Sequence, residues 1–131
     1  MTQAPLMDRI HITEDYDVPR VINGGWQLSA GHALERPLDL ADASRAFNRL
    51  IDMGFDTFDC ADIYTGVEDF FGGIIRERRK AGLRLPQIHT KFVPDLNDLA
   101  NVTPAYIENI ITRSLRRLGV CLLYTSPSPR D

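Results

Sequence analysis

Gly54-Phe55-Asp56-Thr57-Phe58-Asp59-Cys60-Ala61-Asp62-Ile63-Tyr64-Thr65-Gly66-Val67-Glu68 is the stretch on which the reading of this chain turns. It reads as a short apolar strand that ends on a carboxylate, Asp59, followed by a loop that carries Tyr64. A carboxylate at the end of a buried strand is costly unless it is paired or hydrogen-bonded. A cation stands ready in Lys91, which closes the next apolar run, Gln87-Ile88-His89-Thr90-Lys91. Tyr64, on a short loop just behind Asp59, is placed to return to the same spot. Asp59, Tyr64 and Lys91 then converge at the C-terminal ends of two neighbouring strands, where α/β proteins place their chemistry.

Working outward, helices separate these strands. Residues 39 to 52 carry Ala43, Phe47, Leu50 and Ile51 at helical spacing. Asp39 and Asp42 suit that helix's positive N-terminal end, and Gly54 stops it. Side chains alternate along a strand, so over 55 to 59 Phe58 faces one way and Thr57 and Asp59 the other. A second helix is expected over 68 to 81, with Phe70, Phe71, Ile74 and Ile75 as its apolar face. Gly72-Gly73 inside it costs up to about 1 kcal/mol per glycine against alanine, to be offset by close packing on the sheet. The run Arg76-Glu77-Arg78-Arg79-Lys80 sits at the helix C-terminus, where cations are favoured, and reads as a solvated helix end rather than a nucleic-acid patch.

The third strand is expected over 88 to 91. A loop through Pro94 and Asn97 follows. A third helix begins with Thr103 as N-cap and Pro104 in its first turn, keeps Ile107, Ile110, Ile111, Leu115 and Leu118 at helical spacing, and closes at Gly119. Upstream, residues 1 to 17 read as an extended segment, with Ile10-His11-Ile12-Thr13 alternating as a short strand. Val18 to Trp26 reads as the first strand and its loop. Gly24-Gly25 lets the backbone turn or approach a ligand closely. It is not a GxGxxG phosphate loop, because no third glycine opens a helix.

Phe58-Asp59-Cys60-Ala61 with Tyr64-Thr65-Gly66-Val67-Glu68, Gly24-Gly25-Trp26 upstream and Thr90-Lys91 downstream, in that order and at one-βα-unit spacing, resemble the aldo-keto reductases over roughly residues 18 to 120. The resemblance implies an α/β fold, a (β/α)8 TIM barrel. Such a barrel needs about 250 residues. The 131 residues here hold about three of the eight units, an incomplete N-terminal part. A small N-terminal hairpin plugging the barrel bottom would suit the family. The expected organisation is an extended segment over 1–17, the partial barrel over 18–120, and a tail over 121–131.

That tail departs from the family pattern. Where the family has a fourth strand ending in a histidine, the chain reads Cys121-Leu122-Leu123-Tyr124-Thr125-Ser126-Pro127-Ser128-Pro129-Arg130-Asp131. Two prolines remove two backbone donors and cannot continue a strand. The segment reads as a translated adapter sequence, or else as a natural polar tail. The 131-residue chain by itself is then expected to be inactive.

The resemblance also implies the chemistry: reduction of an aldehyde or ketone, or oxidation of the matching alcohol or aldose, by hydride transfer with NADP(H). Such a reduction needs an acid to protonate the forming alkoxide. A free tyrosine, with a pKa near about 10, is a weak one, and a neighbouring cation strengthens it. By resemblance Tyr64 is the proton donor, with Asp59 and Lys91 tuning it. Asp59 and Trp26 contact the cofactor, and Trp26 lines the pocket for a small carbonyl or sugar substrate. The plain alternatives are a structural Asp59–Lys91 ion pair and a Trp26 that only packs. His89 reads as a core histidine rather than as the family's missing one. A reductase-like barrel that binds cofactor without turnover, and a truncated product with no function, remain open beside the enzyme.

Bulk properties exclude other classes. With 44% hydrophobic and 25% charged residues the chain is an ordinary globular sequence. A net charge of −3 gives no basic field for nucleic acid. No apolar run reaches the length of a membrane span, and Met1 to Asp8 show no secretory pattern. Cys60 and Cys121 make no disulfide framework, and Cys60 reads as a small buried hydrophobe. His11 and His32 lack ligand spacing, so no metal site is expected. A reducing, cytoplasmic compartment is the resulting expectation.

Overall fold

The computed structural model of the chain describes residues 7–30 and 38–120. The tail over 121–131, with Cys121, and His32 lie outside the described residues.

An antiparallel hairpin opens the described chain, β1 (Arg9–Thr13) and β2 (Tyr16–Pro19), with Arg9 opposite Pro19 and Ile10 opposite Val18. Three parallel strands follow in chain order across one sheet: β3 (Asn23–Gly24), β4 (Thr57–Asp59) and β5 (Gln87–His89). Gly24 lies opposite Asp59, and Asp59 opposite His89. Helices α1 (Leu40–Asp52) and α2 (Val67–Lys80) make the crossovers, and α3 (Pro104–Leu118) follows β5. This is the expected succession of three βα units.

The local causes are those of the sequence. Asp39 caps α1 by accepting from the amides of Ala41 and Asp42 at 3.0 and 3.1 Å. Thr103 caps α3 by accepting from the amide of Tyr106 at 3.2 Å. Gly119 ends α3 at φ 68°, a left-handed conformation suited to glycine. The apolar faces of α1 and α2 meet the outer face of β4. Phe47, Phe58 and Phe71 pack with ring centroids 5.0–5.4 Å apart, around a core that includes Ile51, Cys60, Val67, Ile74 and Leu118.

Three expectations are corrected, and one is refined. Val18 and Pro19 belong to the hairpin, not to the first barrel strand, which is only Asn23–Gly24. Gly72 is indeed a close-packing position, but against a helix rather than the sheet. A Cβ there would lie 1.9 Å from the Arg117 carbonyl oxygen of α3, whereas one at Gly73 would meet nothing within 4 Å. Of the pair Gly24-Gly25, Gly25 is the crowded member, and the crowding comes from Val67, Phe71 and the Asp59 carbonyl. Arg78 is not part of a solvated helix end. It is 3% exposed and bonds to Asn48, Asp52 and the carbonyl of Arg84. Its guanidinium ties α2 to α1 because Asn48 and Asp52 of α1 offer acceptors at that crossing.

The hairpin sits at the N-terminal ends of the strands. Arg9 reaches the buried Asp56 just before β4 at 2.9 Å and Asp17 at 3.0 Å. The hydrogen bond from Arg9 holds the Asp17 carboxyl below the usual range. Tyr16 Oη lies 2.5 Å from His89 Nε2 and Gln87 Nε2 donates to the Asp17 carbonyl. His89 is thus a partnered, half-buried residue.

Candidate active site

At the opposite, C-terminal, ends of the strands the structure brings Asp59 and Lys91 together. Lys91 Nζ lies 2.6 Å from Asp59 Oδ1, and both side chains are nearly half exposed. The ladder that aligns them continues beyond the regular strands. Cys60 N–H donates to the His89 carbonyl at 2.7 Å and Asp62 N–H to the Lys91 carbonyl at 3.1 Å. Asp59 and Lys91 are therefore carried by two segments that stay bonded on both sides of the pair.

Tyr64 returns from a tight turn, its amide donating to the Ala61 carbonyl at 3.1 Å. Its ring packs on the core, and Lys91 Nζ stands 5.6 Å from the ring centroid, a cation–π distance. Trp26 begins a short 3-10 turn, Trp26–Leu28, immediately after β3, and is 47% exposed. Gly25 N–H donates to the Asp59 carbonyl at 2.8 Å and so ties the Trp26 turn to the end of β4. Asp59, Tyr64 and Lys91 form one cluster, with Trp26 held beside it through the backbone.

Sequence reasoning missed a second group directly behind this cluster. Asp62 and Glu68 are 5% and 1% exposed. Asp62 Oδ1 accepts from Val93 N–H at 2.9 Å, and Oδ2 lies 3.7 Å from Arg113 Nη2. Glu68 Oε1 accepts from Thr90 Oγ1 at 2.6 Å and Oε2 from Arg117 Nη1 at 3.2 Å. Arg117 also donates to the Asp62 carbonyl at 3.3 Å. Burial pushes the Asp62 carboxyl up, against the Val93 hydrogen bond that lowers it. The one available signal was three acids, Asp59, Asp62 and Glu68, crowded into a stretch that must be largely buried. A cleft of about 720 Å³, lined by Asp62, Gly66, Asp98, Tyr106, Arg113 and other residues of α2 and α3, opens on this group rather than on Tyr64 or Lys91.

Cys60 is fully buried, and burial pushes its thiol up to about 12, so it behaves as a small apolar side chain. Among the described residues no group of three or more His, Cys, Asp or Glu is arranged to hold a metal ion. Among the same residues no helix is long and apolar enough to cross a membrane.

A three-unit βα arc, with an Asp–Lys pair at the C-terminal strand ends, is an incomplete α/β barrel. The model of the aldo/keto reductase family matches residues 20–123, and the chain belongs to that family. No curated protein matches it. Among solved structures it is similar to a candidate aldo-keto reductase of Pseudomonas aeruginosa, at 20% identity and TM-score 0.66, over 90% of this chain and 45% of that one. It is also similar to an aldo-keto reductase from Bacillus halodurans in its holo form, at 24% identity and TM-score 0.62, over 87% of this chain and 37% of that one. A silkworm (Bombyx mori) aldo-keto reductase gives 22% identity and TM-score 0.59, over 87% and 33%. The chain thus spans less than half the length of these structures, and the arc is the corresponding part of their barrel.

Proposed function

We propose that the protein carrying this chain is an NAD(P)H-dependent oxidoreductase that reduces aldehydes or ketones, or oxidises the matching alcohols or aldoses, with residues 18–120 as part of its catalytic barrel. The observation that carries the reading is the Asp59–Lys91 pair at 2.6 Å with the Lys91 ammonium 5.6 Å from the Tyr64 ring centroid. When bound, NADP(H) supplies the hydride. The residues present suit its nicotinamide end: Lys91 engages one oxygen of the half-exposed Asp59 carboxylate, and the Trp26 turn lies bonded beside it. Tyr64 would give its phenolic proton to the substrate's carbonyl oxygen, so that the reduced product leaves as the neutral alcohol. Lys91 stabilises the charge left on Tyr64, and Asp59 holds Lys91 in place by a charge-assisted hydrogen bond. Trp26 forms a wall of the substrate pocket.

General acid catalysis of this kind contributes about 100- to 10,000-fold. Tyr64→Phe in the full-length protein should therefore lower kcat for aldehyde reduction by at least about 100-fold while cofactor binding, read by quenching of tryptophan fluorescence, is kept. A Tyr64→Phe protein that oxidises NADPH as fast as the parent would overturn the assignment.

A further inference from the structure

The buried pair Asp62 and Glu68 lies outside the chemistry proposed above and invites a role of its own. Its contacts converge on one short segment. Thr90, just before Lys91, gives its hydroxyl to Glu68 at 2.6 Å. Lys91 itself gives its carbonyl to the Asp62 amide at 3.1 Å. Val93, two residues later, gives its amide to the Asp62 carboxylate at 2.9 Å. Asp62 therefore holds the backbone at the Lys91 carbonyl and again two residues further on. Glu68 adds a third hold one residue upstream.

Both carboxylates belong to the segment that carries Tyr64. Tyr64 lies between Asp62 and Glu68, and its own carbonyl accepts from the Val67 amide at 3.0 Å. Arg117 joins the two holds, donating to the Asp62 carbonyl and to the Glu68 carboxylate. Exposures of only 5% and 1% strengthen these bonds, because little water competes for them.

We propose that Asp62, supported by Glu68 and Arg117, is the positioning residue that sets the distance between Lys91 and Tyr64. The proposal rests on the reading of Tyr64 and Lys91 as the catalytic pair. Asp62 touches neither reacting group. It acts through the Lys91 backbone, so its loss lets the segment 90–93 slide against the Tyr64 turn.

A misplacement of about 1 Å at a catalytic group costs on the order of 100-fold in rate. The test compares Asp62→Ala and Asp62→Asn in the full-length protein, with Tyr64→Phe as control. The alanine removes the acceptor for Val93 N–H, whereas the asparagine amide oxygen keeps it. Asp62→Ala should lower kcat on the order of 100-fold, with the KM and the binding of NADPH unchanged. Asp62→Asn should restore most of the rate. The inference is overturned if Asp62→Ala turns over like the parent, if Asn is no better than Ala, or if the rate falls only in step with lost cofactor binding. An active Tyr64→Phe control would instead overturn the functional reading itself. If Asp62→Ala does not fold, Val93→Pro removes the same hydrogen bond from the other side and must then show the same kcat loss with KM unchanged, or the inference fails.

Discussion

Adjacent glycines in α2 ought to respond in opposite directions to the same substitution. A Cβ added at Gly72 would lie 1.9 Å from the Arg117 carbonyl oxygen and 3.0 Å from its carbonyl carbon. Real Cβ atoms essentially never come within 3.0 Å of such a neighbour, so α2 and α3 must part by about 1 Å. The obstacle is helix backbone and cannot swing aside as a side-chain tip would. Overpacking of this kind costs about 1–3 kcal/mol, set against a gain in helix propensity of at most about 1 kcal/mol. The net expectation for Gly72→Ala is a loss of about 1–2 kcal/mol.

At Gly73 nothing stands within 4 Å of the new methyl group, and only the propensity gain of about 0.8–1 kcal/mol remains. Gly73→Ala should therefore stabilise. The assay is equilibrium unfolding of both variants in denaturant, read by far-ultraviolet circular dichroism at constant m-value. The midpoint should fall for Gly72→Ala and rise for Gly73→Ala. If both move the same way, or if Gly72→Ala is the more stable, the close approach of α2 to the backbone of α3 is wrong.

Two further outcomes follow from the buried groups. Cys60, its thiol pushed up to about 12 by burial, should resist iodoacetamide at pH 8 in the folded protein and react fully in denaturant, followed by peptide mapping so that Cys121 is counted separately. Labelling of native Cys60 at the rate of a free thiol would contradict this. Asp62 has its carboxyl raised by burial, so its contribution to stability is fully present below the ordinary carboxylate range and is lost as pH rises through the raised value. Asp62→Asn should accordingly gain stability relative to the parent between acid and neutral pH, with the gain vanishing at low pH. A relative stability that moves the other way, in melts taken from pH 3 to 7, would show that the Arg113 contact outweighs the burial.

What could be read from the chain and what could not divide along a physical line. Periodicity and caps are local: Asp39, Thr103 and Gly119 each act within four residues, and all three do in the structure what their types imply. The Asp59–Lys91 pair was also legible, because both residues end apolar runs and a strand-end charge asks for a partner. The fates of Asp62 and Arg78 were not. An acid in a loop or an arginine in the last turn of a helix ordinarily faces water, and only the arrival of Val93, or of Asn48 and Asp52, puts each in the interior. Those partners are 26 to 31 residues away, and no local pattern announces them. Gly72 was half legible: its cost in a helix signals a close approach, but not whether a sheet or a helix comes close.

The four acids of the stretch 54 to 68 are sorted by their partners in the structure. Asp56, Asp62 and Glu68 are each 5% exposed or less, and each has an arginine: Arg9 and Arg84 at Asp56, Arg113 at Asp62, Arg117 at Glu68. Arginine keeps its charge when buried and offers several donors in a fixed fork, which suits acids that hold backbone segments in place. Arg84 stands 2.9 Å from Asp56 Oδ2 without hydrogen-bond alignment, so at that acid Arg9 supplies the directed bond. Asp59 differs on both counts. Its side chain is 46% exposed and its partner is a lysine, a compact point charge on a flexible stem. An acid kept at the solvent edge on a lysine, in a chain that buries its neighbours on arginines, fits the chemical role proposed for it above.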